Sequence, residues 1–236
     1  MSAVAFYPIG TPGQPWGPAE RAQWRALQRV QRRHAEDVLP RIEALAASFE
    51  RIEYGSVKHG DESWPLLALR SRSWDASLPA ALVTGGVHGY ETSGVMGALA
   101  FLETRAAGYA GRLNLLVVPC VNPWGYERIN RWNPDAVDPN RNFRAGGPSV
   151  EATALMALVA RWSGQFLVHV DLHETTDSDE TEFRPALAAR DGTAFAPGLI
   201  PDGFYLVDDS ANPQPAFQRE IITAVEAVTH IAPADE

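Results

Sequence analysis

The sequence predicts an α/β fold, a sheet covered by helices on both faces. Three observations predict it. Segments with helical spacing alternate with short apolar runs. The central runs are continuously apolar, as strands buried on both sides are. Polar clusters follow directly where those runs end, which is where such sheets bind ligands.

The elements follow in chain order. Residues 8–18 carry Pro8, Gly10, Pro12, Gly13, Pro15, Gly17 and Pro18, an extended leader. A helix starts near Pro18, because proline suits a first helical turn. Trp24, Leu27, Val30, His34 and Val38 continue it at three- and four-residue steps. Pro40 interrupts, and residues 42–49 continue as a second helix. Residues 51–57 and 65–70 read as strands separated by Lys58-His59-Gly60-Asp61. Residues 80–84 form an apolar strand ending at Gly85-Gly86, residues 92–107 a helix, and residues 113–119 a buried strand. Residues 149–162 are helical and residues 165–172 form another apolar strand. Beyond them come a loop, a strand at 204–207 and a helix at 215–228. The expected organisation is a leader over residues 1–17 and a single domain over residues 18–236.

Composition narrows the function classes. Of 236 residues, 45% are hydrophobic and 21% charged, which argues against intrinsic disorder. The net charge of −9 gives no basic footprint for nucleic acid. No segment approaches the roughly 20 unbroken apolar residues of a membrane span. Cys120 is the single cysteine, so no intramolecular disulfide forms. Met1 to Pro8 lacks a basic region and a long apolar stretch, so no signal peptide is read and the expected location is the cytoplasm.

Three clusters carry chemistry. In Gly85-Gly86-Val87-His88-Gly89-Tyr90-Glu91, His88 ends a strand and Glu91 opens the next helix, about one turn away. Imidazole and carboxylate are both zinc ligands. Alone, the pair also reads as a strand-end histidine and a glutamate favouring the helix dipole. In Val170-Asp171-Leu172-His173-Glu174, His173 again ends an apolar strand. Two histidines and one glutamate leave a fourth position open, the catalytic pattern. His88, Glu91 and His173 are therefore the expected metal ligands. Asp171 and His169 share a strand face with His173. Asp171 could orient a neighbour or line the site, and His169 reads as a core histidine. The third cluster runs from Asn122 to Phe143 and carries Arg128, Arg131 and Arg141. A guanidinium binds carboxylates bidentately and can stabilise an oxyanion. Alone, it reads as a solvated loop with surface arginines.

The order of these motifs is more specific than any one of them. His-x-x-Glu after a strand precedes Asn-Pro-x-Gly-Tyr, then Arg-x-Asn, Asp-x-Asn-Arg-Asn-Phe and a strand-end Asp-Leu-His. The set, spanning residues 80–174, resembles the zinc carboxypeptidases of the carboxypeptidase A-like family. The resemblance implies an α/β/α sandwich around a mixed, mostly parallel sheet. It implies one zinc ion on His88, Glu91 and His173. Arg131 would polarise the scissile carbonyl, Asn140 and Arg141 would grip the substrate's terminal carboxylate, and Arg128 would have a secondary substrate role. The implied partner is a peptide or N-acyl amino acid with a free carboxylate. Trp124, Pro139 and Glu174-Thr175-Thr176-Asp177 depart from the family's usual residues.

The resemblance also requires a glutamate as general base, late in the chain. Only 63 residues follow His173. Their glutamates give Glu174 and Glu182 as weak candidates, and the expectation is that the C-terminal part of the domain lies beyond Glu236. Two alternatives stay open. One is a zinc deacylase resembling succinylglutamate desuccinylases and aspartoacylases. The other is a zinc-containing binding module without a base.

Overall fold

The computed structural model describes residues 7–233. Residues 1–6 of the expected leader and residues 234–236, with Glu236, lie outside them. The chain divides into two compact units. One is Gly17–Glu174. The other combines the stretch up to Trp16 with the chain from Thr175 onward.

The unit Gly17–Glu174 is built on a five-stranded mixed sheet in the order β1-β2-β4-β3-β5. The strands are β1 (Phe49–His59), β2 (Glu62–Ser71), β3 (Ala80–Gly85), β4 (Asn114–Val118) and β5 (Phe166–Leu172). β3 runs parallel to both β4 and β5, whereas β1 and β2 form an antiparallel hairpin joined antiparallel to β4. Gly60, at φ 57°, takes the first corner of the two-residue hairpin loop.

Period-two alternation sorts the strand side chains onto two faces. Leu67, Leu69, Ala81, Val83, Leu115 and Val117 pack with helices α3 (Leu39–Leu45) and α4 (Thr92–Thr104). Ala68, Leu82, Leu116 and Val118 pack with Leu155 and Leu158 of α6 (Val150–Val159) on the other face. The architecture is thus the expected α/β/α sandwich. α5 (Pro123–Arg128) follows in the loop after β4, and its Tyr126 packs with the first of these clusters.

Several element boundaries differ from the sequence expectation. The helix begun at Pro18 does not reach Val38. It stops as α1 (Pro18–Leu27), and α2 covers only His34–Asp37. The intervening backbone bonds elsewhere: the N–H groups of Gln31 and Arg32 both donate to the Glu127 carbonyl, at 2.8 and 3.2 Å. Pro40 does not interrupt a helix but sits in the first turn of α3, where its missing N–H costs nothing. Phe49 opens β1 rather than closing a helix. Ser149 caps α6, its hydroxyl accepting from the Ala152 N–H at 3.2 Å.

The other unit is largely helical. A π-type turn over Asp179–Phe183 leads into α7 (Arg184–Asp191), and α8 covers Pro215–Glu226. α7 falls in a stretch expected to be loop. Its signals are Pro185 in the first turn and Gly192 at φ 67° just past the end. The strand expected at 204–207 reduces to one bridge between Phe204 and Ile231. Trp16 anchors the N-terminal stretch within this unit, its N–H donating to the Arg190 carbonyl at 2.8 Å. Among the described residues, no helix is long and apolar enough to cross a membrane.

Candidate metal centre

The centre forms where β3 and β5 end side by side. Parallel pairing sets Thr84 opposite Asp171 and Gly85 opposite Leu172. Gly86, at φ 61°, turns the chain out of β3, and His88 follows. α4 then starts directly after Glu91. Its first turn can approach β5 only because position 94 lacks a side chain: a Cβ there would lie 2.4 Å from the Leu172 carbonyl oxygen. Close packing of α4 on the strand ends thus delivers Glu91 between two histidines.

Glu91 bridges them. His88 Nδ1 lies 2.6 Å from Oε1, and His173 Nδ1 lies 2.8 Å from Oε2. The imidazole rings are 5.0 Å apart between centroids. One ligand atom from each residue falls within 4.8 Å of the others, a group that could hold a metal ion. Both imidazoles present the same nitrogen inward, and each outer Nε2 faces a carboxylate. His88 Nε2 is 3.1 Å from Asp138 Oδ1, and His173 Nε2 is 2.7 Å from Asp171 Oδ2. Two imidazoles and a carboxylate, with carboxylates behind the imidazoles, are a donor set and surround that suit a divalent cation.

The electrostatics follow from this packing. Burial would raise the Glu91 carboxyl, but the two histidines outweigh it and hold it below the ordinary range. Burial would also raise Asp138, yet His88 and Arg131 keep it well below that range. Burial alone would lower His173. Asp171 and Glu91 overcome that and push it up to about 10.

Arg131 joins the cluster from the loop after β4. Its Nε donates to Asp138 Oδ2 at 3.2 Å, and one terminal nitrogen donates to the Tyr90 hydroxyl at 3.4 Å. Asn133 of the same Arg-x-Asn motif shapes the loop, accepting from the N–H groups of Asp135 and Val137. Asn140 and Arg141 lie in a 3₁₀ turn over Pro139–Asn142 that starts at Asp138. Arg141 is exposed. Asn140 lines a cavity of about 660 Å³ with Thr84, His169, Asp171, Leu155 and Phe166.

Arg128 goes elsewhere. Ile129 takes a left-handed φ of 49°, strained for a β-branched residue. On its N-terminal side the Arg128 guanidinium sits over the rings of Trp64 and Trp124, at 5.2 and 4.6 Å. It donates to Glu62 Oε2 at 3.3 Å. The structure therefore groups His88, Glu91, His173 and Arg131 and places Arg128 in an aromatic cage. Glu174 is also committed: its Oε2 accepts from the backbone N–H and the hydroxyl of Ser93, both at 2.9 Å. Glu182 belongs to the other unit and accepts from Tyr7 at 2.9 Å.

Sequence reasoning left Asp138 and Tyr90 without roles. The signal for Asp138 was present, an acid two residues before Asn140-Arg141. Tyr90 carries no motif of its own, and only the folded loop shows its hydroxyl between Arg131 and the Glu174 carbonyl, to which it donates at 3.0 Å.

A family model described as "Protein of unknown function (DUF2817)" matches residues 67–179, a span that holds His88, Glu91 and His173. No curated protein matches the chain. Among solved structures, it is similar to a candidate metallopeptidase from Shewanella denitrificans OS217, 27% identical with a TM-score of 0.51, covering 58% of this chain and 51% of that one. A candidate metallopeptidase from Shewanella amazonensis SB2B is 30% identical, with a TM-score of 0.45 and coverage of 52% and 47%. A candidate carboxypeptidase A from Shewanella denitrificans OS-217 is 20% identical, with a TM-score of 0.51 and coverage of 59% and 39%. This last likeness concerns the fold alone. The chain spans about half the length, or less, of these proteins.

Proposed function

We propose that this chain carries the metal site of a zinc-dependent hydrolase of the metallopeptidase type. The reading is specifically that of a metallocarboxypeptidase, cutting a peptide or amide bond next to a free carboxylate. One observation carries it: His88 and His173 turn the same ring nitrogen toward Glu91, with an aspartate behind each ring. Similarity to a candidate metallopeptidase at 27% identity supports it.

In this reading His88, Glu91 and His173 hold the zinc ion. A zinc ion so held lowers the pKa of a bound water to about 7 and polarises a carbonyl. The protein's own residues do the rest. Asp138 fixes Arg131 through Nε, and a guanidinium held beside the metal site can stabilise an oxyanion. Tyr90 holds one terminal nitrogen of the same group. Exposed Arg141, with Asn140 beside it, receives the substrate's carboxylate as a forked donor.

A second reading, a zinc-containing module that binds such ligands without turnover, is favoured by the commitment of Glu174 to Ser93. A third, deacylation of N-acyl amino acids, uses the same donor set. The purified chain, reconstituted with zinc, is assayed against carboxylate-ended peptides, their C-terminal amides and N-acyl amino acids. Zinc-dependent release of the C-terminal residue, lost with the amide, supports the carboxypeptidase. Release from N-acyl amino acids alone supports the deacylase. Saturable binding without product supports the module. No zinc uptake by the folded chain ends all three.

A further inference from the structure

We infer that Asp171 is a positioning residue that holds His173 as an Nδ1 donor, and that Thr84 and His169 fix Asp171 in turn. The inference rests on the metal-site reading above.

Both carboxylate oxygens of Asp171 are used. Oδ2 is 2.7 Å from His173 Nε2, and Oδ1 accepts from the Thr84 hydroxyl at 2.6 Å. A hydroxyl has one hydrogen. Thr84 gives it to Asp171, so the hydroxyl oxygen must accept from His169 Nε2, 2.8 Å away. That assigns the Nε2–H tautomer to His169. The chain of bonds therefore has one direction, from His169 through Thr84 to Asp171.

The sheet makes this arrangement rigid. His169, Asp171 and His173 occupy alternate positions on one face from β5 onward, and Thr84 pairs with Asp171 across the β3–β5 ladder. A carboxylate pinned at both oxygens cannot swing away from the imidazole. It accepts the Nε2 proton, so the neutral imidazole of His173 would carry its lone pair on Nδ1, the nitrogen that faces Glu91. His173 is the more open of the two histidines, at 32% exposure against 2% for His88. It needs an outer partner more than His88 does, and its own strand supplies one.

Asp171 is not a proton acceptor for substrate in this arrangement. It lies against the outer nitrogen of His173, across the ring from Glu91.

The test uses the whole 236-residue chain. Zn²⁺ and Co²⁺ affinities are measured by competition with a chromophoric chelator. Thermal unfolding of each metal-free protein separates folding from binding. Asp171→Ala is expected to weaken binding about 10- to 100-fold and to shift the cobalt absorption bands. Asp171→Asn, which keeps an acceptor oxygen but no charge, is expected to fall between it and the wild type. Thr84→Val is expected to weaken binding less than either. Folded Asp171→Ala with wild-type affinity and unchanged cobalt bands would overturn the inference while leaving the metal site intact. If Asp171→Ala does not fold, Asp171→Asn decides by the same criteria. A folded wild-type chain that takes up neither ion overturns the metal-site reading and this inference together.

Discussion

The ends of β3 and β5 present the same chemistry in different surroundings. β3 is paired on both sides, by β4 and β5, whereas β5 pairs with β3 alone among the described residues. His88, beyond β3, is 2% exposed and is backed by Asp138 from a distant loop. His173, beyond β5, is 32% exposed and is backed by Asp171, two residues away on its own strand. One histidine is held by everything packed around it. The other is held by local strand geometry. The two should respond differently to the same substitution.

The largest expected effect is on metal binding. His88→Ala and His173→Ala should each abolish measurable zinc uptake by the folded chain, since either leaves two ligands. They should part on stability. Removing His88 leaves Glu91 and Asp138 buried beside a cavity, a loss of the kind that costs about 3–5 kcal/mol. His173→Ala should cost clearly less, because water reaches that end. Denaturant unfolding of the metal-free proteins gives both values, and equal losses would break the comparison.

Next comes the seam between the two ends. Gly94 lets α4 touch the Leu172 carbonyl, and a side chain there would begin 2.4 Å from that oxygen. Gly94→Val should destabilise the fold by about 1–3 kcal/mol through overpacking. It should also lower zinc affinity, because α4 would carry Glu91 away from both histidines. A destabilised variant with wild-type affinity would show that Glu91 is placed independently of α4.

A pH dependence sharpens the contrast further. In the metal-free protein the His173 pKa is pushed from the ordinary imidazole value of 6.5 up to about 10. A raised folded-state pKa stabilises the fold fully below the unfolded value, and that stabilisation is lost as pH rises through the folded value. Melting temperature should therefore fall between pH 6.5 and 10, and His173→Gln should flatten that slope. Zinc competes with the same proton, so its affinity should rise over the same window. A slope unchanged in His173→Gln would assign the effect to another group.

Much of this was legible because the informative signals were local. The apolar residues 80–83 and 115–118 marked buried strands, and the histidines and glutamate at strand ends marked the groups that converge. What escaped depended on distant partners. Residues 28–33 keep a helical spacing, yet the backbone N–H groups of Gln31 and Arg32 bond to Glu127, nearly a hundred positions away. Leu167 reads as core within an apolar run but is 74% exposed, because periodicity cannot reveal which strand lies at an edge. Asp171 was visible as a residue on the right face. Its grip on His173 became visible only with Thr84 set opposite it on β3.

The smallest expected effects separate two arginines that the sequence placed in one cluster. Arg128 is 9% exposed, enclosed by Trp64 and Trp124, and burial lowers its pKa against the pull of Glu62 and Glu127. Its worth should be structural. Arg128→Met keeps an apolar stem in the cage and should cost about 0.5–2 kcal/mol, the range of a partly desolvated cation over aromatic rings. Arg141 is exposed in the turn that begins at Asp138, so Arg141→Ala should leave stability within about 0.5 kcal/mol of the wild type. The ligand response should be the reverse. Binding of a carboxylate-ended peptide to the zinc-loaded chain should weaken in Arg141→Ala and hold in Arg128→Met. A C-terminal amide should not distinguish the variants. Equal weakening in both would bring Arg128 back toward the substrate, and would mean that the aromatic cage opens when ligand binds.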